Sequence, residues 1–211
     1  MGGGAATIRR VRLAGPSDFD GFRAKARGLL AEGVPPEAVL WSAGDEAGDL
    51  FAADIDAGAS PVAAARPVPR VSRAFLALAG QASLHSDPGR FSLIYRLLWR
   101  LGGEPNLPAL ASDPDIVRLN DLAKAVRRDI HKMHAFVRFR DVEGPGGEAF
   151  VAWYEPDHHV VEAASTFFVK RFASLVWTIL TPECTAHWTG ETLMFGPGAG
   201  KADAPSQDRL E

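Results

Sequence analysis

Residues 124–140 read KAVRRDIHKMHAFVRFR, and the reading of this stretch decides the fold. It gathers six Lys or Arg, two His and one Asp in a chain whose formal charge is -3. Positive charge concentrated in a net-acidic protein calls for an anionic partner or for internal carboxylates. Up to Met133 the period is helical. Ile116, Leu119, Ala123, Val126, Ile130 and Met133 recur at three- and four-residue steps, which leaves Lys124, Arg127, Arg128, His131 and Lys132 on the other side. From His134 the period becomes two, so HAFVRFR reads as a strand. His134, Phe136, Arg138 and Arg140 then share one face, and Ala135, Val137 and Phe139 the other.

Upstream, Asp113–Pro114 is a helix start, with Asp as the cap and Pro at the first helical position. VSRAFLALAGQASL and SLIYRLLWRLGG give two earlier helices, the second stopped by Gly102–Gly103. Residues 43–70, rich in Ala, Gly, Asp and Pro, read as a surface connection. Before them, Thr7–Leu13 and AVLWSA read as strands around a helix that is capped at Ser17 or Asp18 and stopped at Gly33. That helix shows Phe19, Phe22, Ala26, Leu29 and Leu30 as its apolar stripe.

Downstream, a Gly-Pro-Gly-Gly turn after Glu143 leads into EAFVAWYEP as the second arm of a hairpin. Glu162 to Leu180 reads as one apolar helix with Phe167, Phe168, Phe172, Leu175, Val176 and Ile179 in its stripe. TAHWTGETLMFGPG reads as a last hairpin turning at Thr189–Gly190. The expectation is a single α+β domain over 7–199, with a helical middle. Its small, mostly antiparallel sheet combines the N-terminal strands with the C-terminal hairpins. Residues 1–6 are a flexible N-terminus, and 200–211 are a linker-like tail.

Composition narrows the function classes. A chain of 211 residues with 46% hydrophobic and 23% charged residues can bury a core. A single cysteine, Cys184, excludes an internal disulfide framework and any Cys-rich zinc or iron–sulfur site made by this chain alone. No apolar run reaches the roughly 18 residues of a membrane span. A cytoplasmic protein with no membrane partner and no cofactor is expected. Residues 71–141 carry eleven basic and seven acidic groups, and residues 142–211 four and ten. The basic run therefore either forms a binding face or pairs with the acidic last third.

Three chemistries compete for these residues. Lys124, Arg127, Arg128, Lys132, Arg138 and Arg140 can neutralise phosphates, with Phe136 or Tyr154 as a stacking surface. Alternatively, the arginines pair with Glu155, Asp157 or Glu162, and the chain is an interaction scaffold. In the third reading, His131, Glu155 and His158 converge between the helix end and the EPDHH loop in acid–base or metal roles. No HExxH or other metal signature supports a metal there, and none is expected. His131 has a further role available, as a hydrogen-bonded tie between the helix end and that loop.

The strings RRDIHKMHAFVRFR, AWYEPDHHVVEAASTFFVKRFASLVWTILTPE and HWTGETLMFGPG, with LIYRLLWRL before them, resemble a bacterial family. It is domain of unknown function 4130, labelled a putative DNA repair or DNA metabolism protein. The resemblance spans nearly all of residues 7–199. It implies an accessory domain that binds DNA or a repair partner. That partner is a UdgX-type uracil-DNA glycosylase domain fused C-terminally, or a radical-SAM protein encoded alongside. It also implies that the tail ending at Glu211 is the join to a further domain. His134 departs from the family pattern, where Lys is commoner, and His159 is less regular than His158. Glycosylase chemistry in this chain itself is not expected. The iron–sulfur glycosylases need four cysteines, and the water-activating Gly-Glu-x-Pro-Gly motif is missing.

Overall fold

The structure, a computed structural model, describes residues 8–43, 68–144 and 147–204. The chain forms two compact units, Met1–Lys124 and Ala125–Glu211. The expected connection falls mostly outside the described residues, as do residues 1–6 and the end of the tail.

The first unit opens with a strand–helix–strand element. Strand β1 (Arg9–Leu13) pairs in parallel with β2 (Val39–Ala43), and helix α1 (Phe19–Ala31) joins them. Asp18 caps α1 by accepting from the Gly21 N–H at 2.8 Å. Gly33, at φ 71°, lets the chain turn back. Two more helices follow. Helix α2 (Arg73–Ala82) is capped by the Ser72 hydroxyl, and α3 is Arg90–Leu101. The core gathers Phe22, Trp41, Phe75, Phe91, Ile94, Tyr95 and Leu97. Phe22 touches both Trp41 and Phe91, with ring centroids 4.7 and 5.1 Å apart.

Two polar devices fasten this core. The Tyr95 hydroxyl donates to the Val34 carbonyl at 2.6 Å, with Tyr95 wholly buried. Burial also pushes the phenol pKa up. Arg90, 5% exposed, donates through its guanidinium to the carbonyls of Ser83 (2.7 Å), Asp87 (3.1 Å) and Pro16 (3.0 Å). Helix α4 (Pro114–Phe136) begins at the expected Asp-Pro. Asp113 Oδ1 accepts from the N–H groups of Asp115 and Ile116. Arg100 bridges Asp113 (2.7 Å) and Asp115 (3.0 Å), and Arg96 takes the second oxygen of Asp115 at 2.7 Å. The arginine hydrogen bonds hold both carboxyls below the usual aspartate pKa.

The second unit starts within α4 and carries a five-stranded sheet, ordered β3-β4-β5-β6-β7. Strand β3 (Arg140–Gly144) and β4 (Gly147–Trp153) form the expected hairpin. Strand β4 runs parallel to β5 (Trp177–Leu180), and α5 (Val161–Arg171) makes the crossover. Strands β6 (Cys184–Trp188) and β7 (Leu193–Pro197) form the expected last hairpin, with Gly190 at φ 93° in its turn. Gly198 then passes so close to the Pro182 carbonyl that an added Cβ would lie 1.9 Å from its oxygen.

The α+β class holds, with a helical middle. Three finer expectations are corrected. The N-terminal strands form their own two-stranded parallel sheet and do not join the C-terminal hairpins. The expected helix over Glu162–Leu180 ends at Arg171. Its last part is β5, in which Trp177 and Ile179 are buried while Thr178 and Leu180 are half-buried. Uniformly apolar sequence fits both periods, and pairing with β4 decides between them. Finally, HAFVRFR is not a strand from His134. Helix α4 runs on to Phe136, and the Val137 N–H still reaches the Met133 carbonyl at 3.1 Å. Met133 and Val137, one turn apart, are both buried, so the helical period outweighs the alternation.

Two measurements check the first unit. Tyr95→Phe leaves the Val34 carbonyl without its donor and is expected to lower stability by about 1–2 kcal/mol in urea unfolding. Asp113 and Asp115 have folded pKa values below their unfolded ones. Their stabilisation is present above the unfolded aspartate value and is lost as pH falls through the folded one. Arg100→Met is therefore expected to lower the melting temperature at pH 7, with the gap to wild type shrinking below about pH 4.

Candidate functional site

In the second unit, α4 turns its polar side outward. Arg127, Arg128, His131, Lys132, Ala135 and Phe136 are exposed, while Val126, Asp129, Met133 and Val137 are buried. Lys124 is also exposed on α4, as the last residue of the first unit. Phe136 is 65% exposed, the largest value for a large hydrophobic side chain among the described residues.

Helix α5 packs beside this helix end through rings. His134 stacks on Phe167, with centroids 4.2 Å apart and planes 23° apart, and meets Phe168 edge-on at 5.7 Å. Its Nε2 donates to the Ala164 carbonyl at 3.3 Å. Burial pushes the His134 ring below the ordinary imidazole pKa, so it stays neutral and works as a flat packing surface. His131 meets His134 edge-on, with ring centroids 6.5 Å and planes 81° apart. Below, Phe168 and Phe139 close over Trp177 at 6.1 and 5.8 Å.

Phe168 therefore faces the sheet and Phe167 does not. Phe167 is 40% exposed, which corrects its placement in the apolar stripe. Lys170 and Arg171 are exposed three and four residues further on, so they share its side of α5. Glu162, five residues back, is turned about 140° away around the helix. Phe167, Lys170 and Arg171 thus extend the α4 surface and were missed in the sequence. The signal available was the i, i+3, i+4 spacing of one ring and two cations.

Arg138 and Arg140 separate from this group. Arg138 folds back as a cap, its Nη1 donating to the carbonyls of Ala135 (2.6 Å) and Val137 (3.1 Å). Arg140 sits on β3 in the register row Arg140–Val151–Thr178–His187, which alternates with Trp177 and so lies on the opposite sheet face. Thr178 and His187 share a 2.8 Å hydrogen bond across that row. The expected common face of His134, Phe136, Arg138 and Arg140 does not form, because the first two are helical.

The EPDHH loop is tied to α4 by Asp129, another residue missed in the sequence, and not by His131 as expected. Asp129 is 2% exposed, and its Oδ2 accepts from the His158 backbone N–H at 2.9 Å. Its Oδ1 finds no protein partner. Burial raises the Asp129 pKa, the His158 N–H works against this, and the nearby Asp157 charge adds to it. Burial raises the Tyr154 pKa too, helped by the charges of Asp129 and Asp157. On the outside, Lys132 pairs with Asp157 at 3.0 Å, one of the internal pairings expected for the basic run.

The proposed acid–base residues hold other duties. Glu155 accepts from Trp153 Nε1 at 2.9 Å and from Lys201 at 3.2 Å, which keeps it ionised and below the usual glutamate pKa. His158 contributes its backbone to Asp129, and His131 is exposed. His159 meets Glu183 at 2.6 Å. No group of three or more His, Cys, Asp or Glu among the described residues is placed to hold a metal ion. Burial raises the pKa of the Cys184 thiol, with Glu162 and Glu183 adding to the shift, which disfavours a thiolate nucleophile. No described helix is long and apolar enough to cross a membrane.

Fold and surface together define an α+β protein whose second unit presents rings and cations on adjoining helices. Residues 88–205, more than half of the chain, match the model of DUF4130, a domain of unknown function, and the chain belongs to that family. Neither a curated protein nor a solved structure matches it.

Asp129 offers a clear test. Its raised folded pKa means that its stabilising contribution is complete below the unfolded aspartate value and falls away as pH rises through the folded one. Asp129→Asn keeps an acceptor for the His158 N–H without a buried charge. Its melting temperature relative to wild type is expected to rise with pH over that range. Asp129→Ala leaves the N–H unmatched and is expected to cost about 1–3 kcal/mol.

Proposed function

We propose that this chain is a DNA-repair accessory domain that docks DNA through the outer sides of α4 and α5. The observation that carries the reading is the exposed cations Arg128 and Lys132 on α4 and Lys170 and Arg171 on α5, with one exposed ring on each helix, Phe136 and Phe167. Cations neutralise phosphates and exposed rings add contact area, so the two together suit a nucleic acid better than either alone. Charge placement supports this. Within the acidic last third, Glu155 pairs with Lys201 and Glu183 meets His159, while Asp157 takes Lys132.

The resemblance to DNA-metabolism proteins supplies the context. In it the domain would place a uracil-DNA glycosylase domain in cis, or a radical-SAM protein in trans, on its substrate. Docking of this kind is electrostatic, so affinity falls as salt rises.

The test is fluorescence anisotropy with labelled single-stranded and duplex DNA over a salt series. Wild type is expected to bind near 50 mM salt, with a linear fall of log affinity against log salt. The triple variant Arg128→Ala/Lys170→Ala/Arg171→Ala is expected to flatten that slope by about 2 to 3. Absence of binding at about 50 mM salt, or a slope the variant leaves unchanged, overturns the proposal.

A further inference from the structure

We infer that strand β7 is the docking edge for a second copy of this chain, the two strands pairing antiparallel about a two-fold axis at Met194. The inference stands apart from the DNA reading and uses none of its residues. Strand β7 ends the five-stranded sheet, so its far side pairs with no described strand. Open N–H and C=O groups along a sheet edge are a template for another strand, and proteins commonly blunt such an edge with charge. The opposite edge is blunted in this way: β3 reads RDVEG, with Arg140, Asp141 and Glu143 exposed. Strand β7 reads LMFGP and carries no charge. Met194 is 47% exposed and Phe195 44%, so large apolar side chains stay open on both faces of this edge. In the first unit, β1 carries Arg9, Arg10 and Arg12, and β2 buries Val39 and Trp41.

Backbone register selects the occupant. The Thr189 N–H donates to the Thr192 carbonyl at 3.1 Å, and along the ladder His187 faces Met194 and Thr185 faces Gly196. Hydrogen-bonded and non-bonded pairs alternate in an antiparallel ladder. Thr192, Met194 and Gly196 therefore turn their backbone groups to β6, while Leu193, Phe195 and Pro197 turn theirs outward. Proline has no N–H to offer, and an outward edge position is where a strand tolerates it. An axis at Met194 sets Leu193 of each copy opposite Phe195 of the other. Every outward N–H and C=O of these residues then finds a partner. An axis at Phe195 would oppose Leu193 to Pro197 and lose a donor. An axis at Leu193 would bring in Glu191, outside the strand.

The side chains fit the same register. Leu193 and Phe195 lie on the sheet face of Trp177 and Trp188, where Leu193 of one copy meets Phe195 of the other. Met194 continues the row of Thr178 and His187 on the other face, where the two Met194 side chains meet across the axis. Apolar cross-strand pairs of this kind stabilise a ladder. A two-fold contact closes on itself, whereas β7 on β3 would repeat into an open fibre and would set the apolar edge against charges. The contact is one strand wide, below the area of a stable dimer, so the dimer is weak and forms with rising concentration.

The test is analytical ultracentrifugation of the full chain from about 10 µM to about 1 mM, with amide hydrogen exchange read at Leu193 and Phe195. Wild type is expected to pass from monomer to dimer over that range, and exchange at both amides is expected to slow about 3-fold or more at the top of it. Met194→Lys is expected to weaken dimerisation roughly 5-fold or more, because like charges then stand directly opposite each other. Met194→Glu is expected to do the same, and an equimolar mixture of the two variants to restore the dimer. Both variants are expected to keep the wild-type melting temperature, since Met194 is exposed.

Wild type that stays monomeric at about 1 mM overturns the proposal and leaves the edge to an extended segment of another protein. A dimer that Met194→Lys leaves intact, or one in which the Leu193 and Phe195 amides exchange as fast as in the monomer, places the contact elsewhere and also overturns it. Assemblies that grow past the dimer overturn the two-fold pairing.

Discussion

The second unit depends on one topological constraint, the parallel pairing of β4 with β5. Parallel neighbours cannot be joined by a tight turn, so the chain must climb over the sheet and come back. Helix α5 is that climb, and it has to bury one side on the strands it connects. Val161, Ala164, Ser165 and Phe168 go inward, and Phe168 closes on Trp177 with Phe139 beside it. Two adjacent phenylalanines on a helix point about 100° apart, so burying Phe168 obliges Phe167 to face elsewhere. His134 meets it there and the end of α4 is located by that contact. The outer surface of this corner is thus a by-product of how the sheet is wound.

The same winding explains the tie between α4 and the EPDHH loop. The chain leaves β4 at Trp153 and must redirect within a few residues to start α5 at Val161. A loop that short exposes backbone donors, and the buried carboxyl of Asp129 accepts one of them. A buried acid is costly in its charged form. The cost is contained because Asp129 accepts a backbone N–H and because its pKa rises.

Local signals were legible where a polar side chain closes a helix end within three residues. Asp18, Ser72 and Asp113 each mark a start, two of them read correctly from cap chemistry, and the hairpins were marked by their glycine turns. Reading failed where two periods fit one string. Residues 162–180 are apolar enough for a long helix, and only pairing with β4 turns the last four into a strand. HAFVRFR alternates well, but Met133 and Val137 bury together one turn apart, so its first three residues stay in the helix and only Arg140 joins a strand. The cations of the candidate surface were visible as charges. The partners that divide them were not, since Arg138 turning to its own helix end and Arg140 facing the other side of the sheet are consequences of register. Phe167 and Asp129 were hidden for the same reason: which way a side chain on a helix points is decided by what the helix lies on.

In the first unit, Arg90 holds the carbonyls of Ser83, Asp87 and Pro16 around a buried guanidinium. Three oxygens converging on one cation from two distant loops is the arrangement a protein usually makes with a bound metal ion. Here the ion is covalently part of the chain. It cannot be chelated away, exchanged or, with a guanidinium, deprotonated in any range a protein survives. The junction it organises is therefore a permanent coordination centre, indifferent to metal supply and to the acidity that loosens the aspartate pairs nearby.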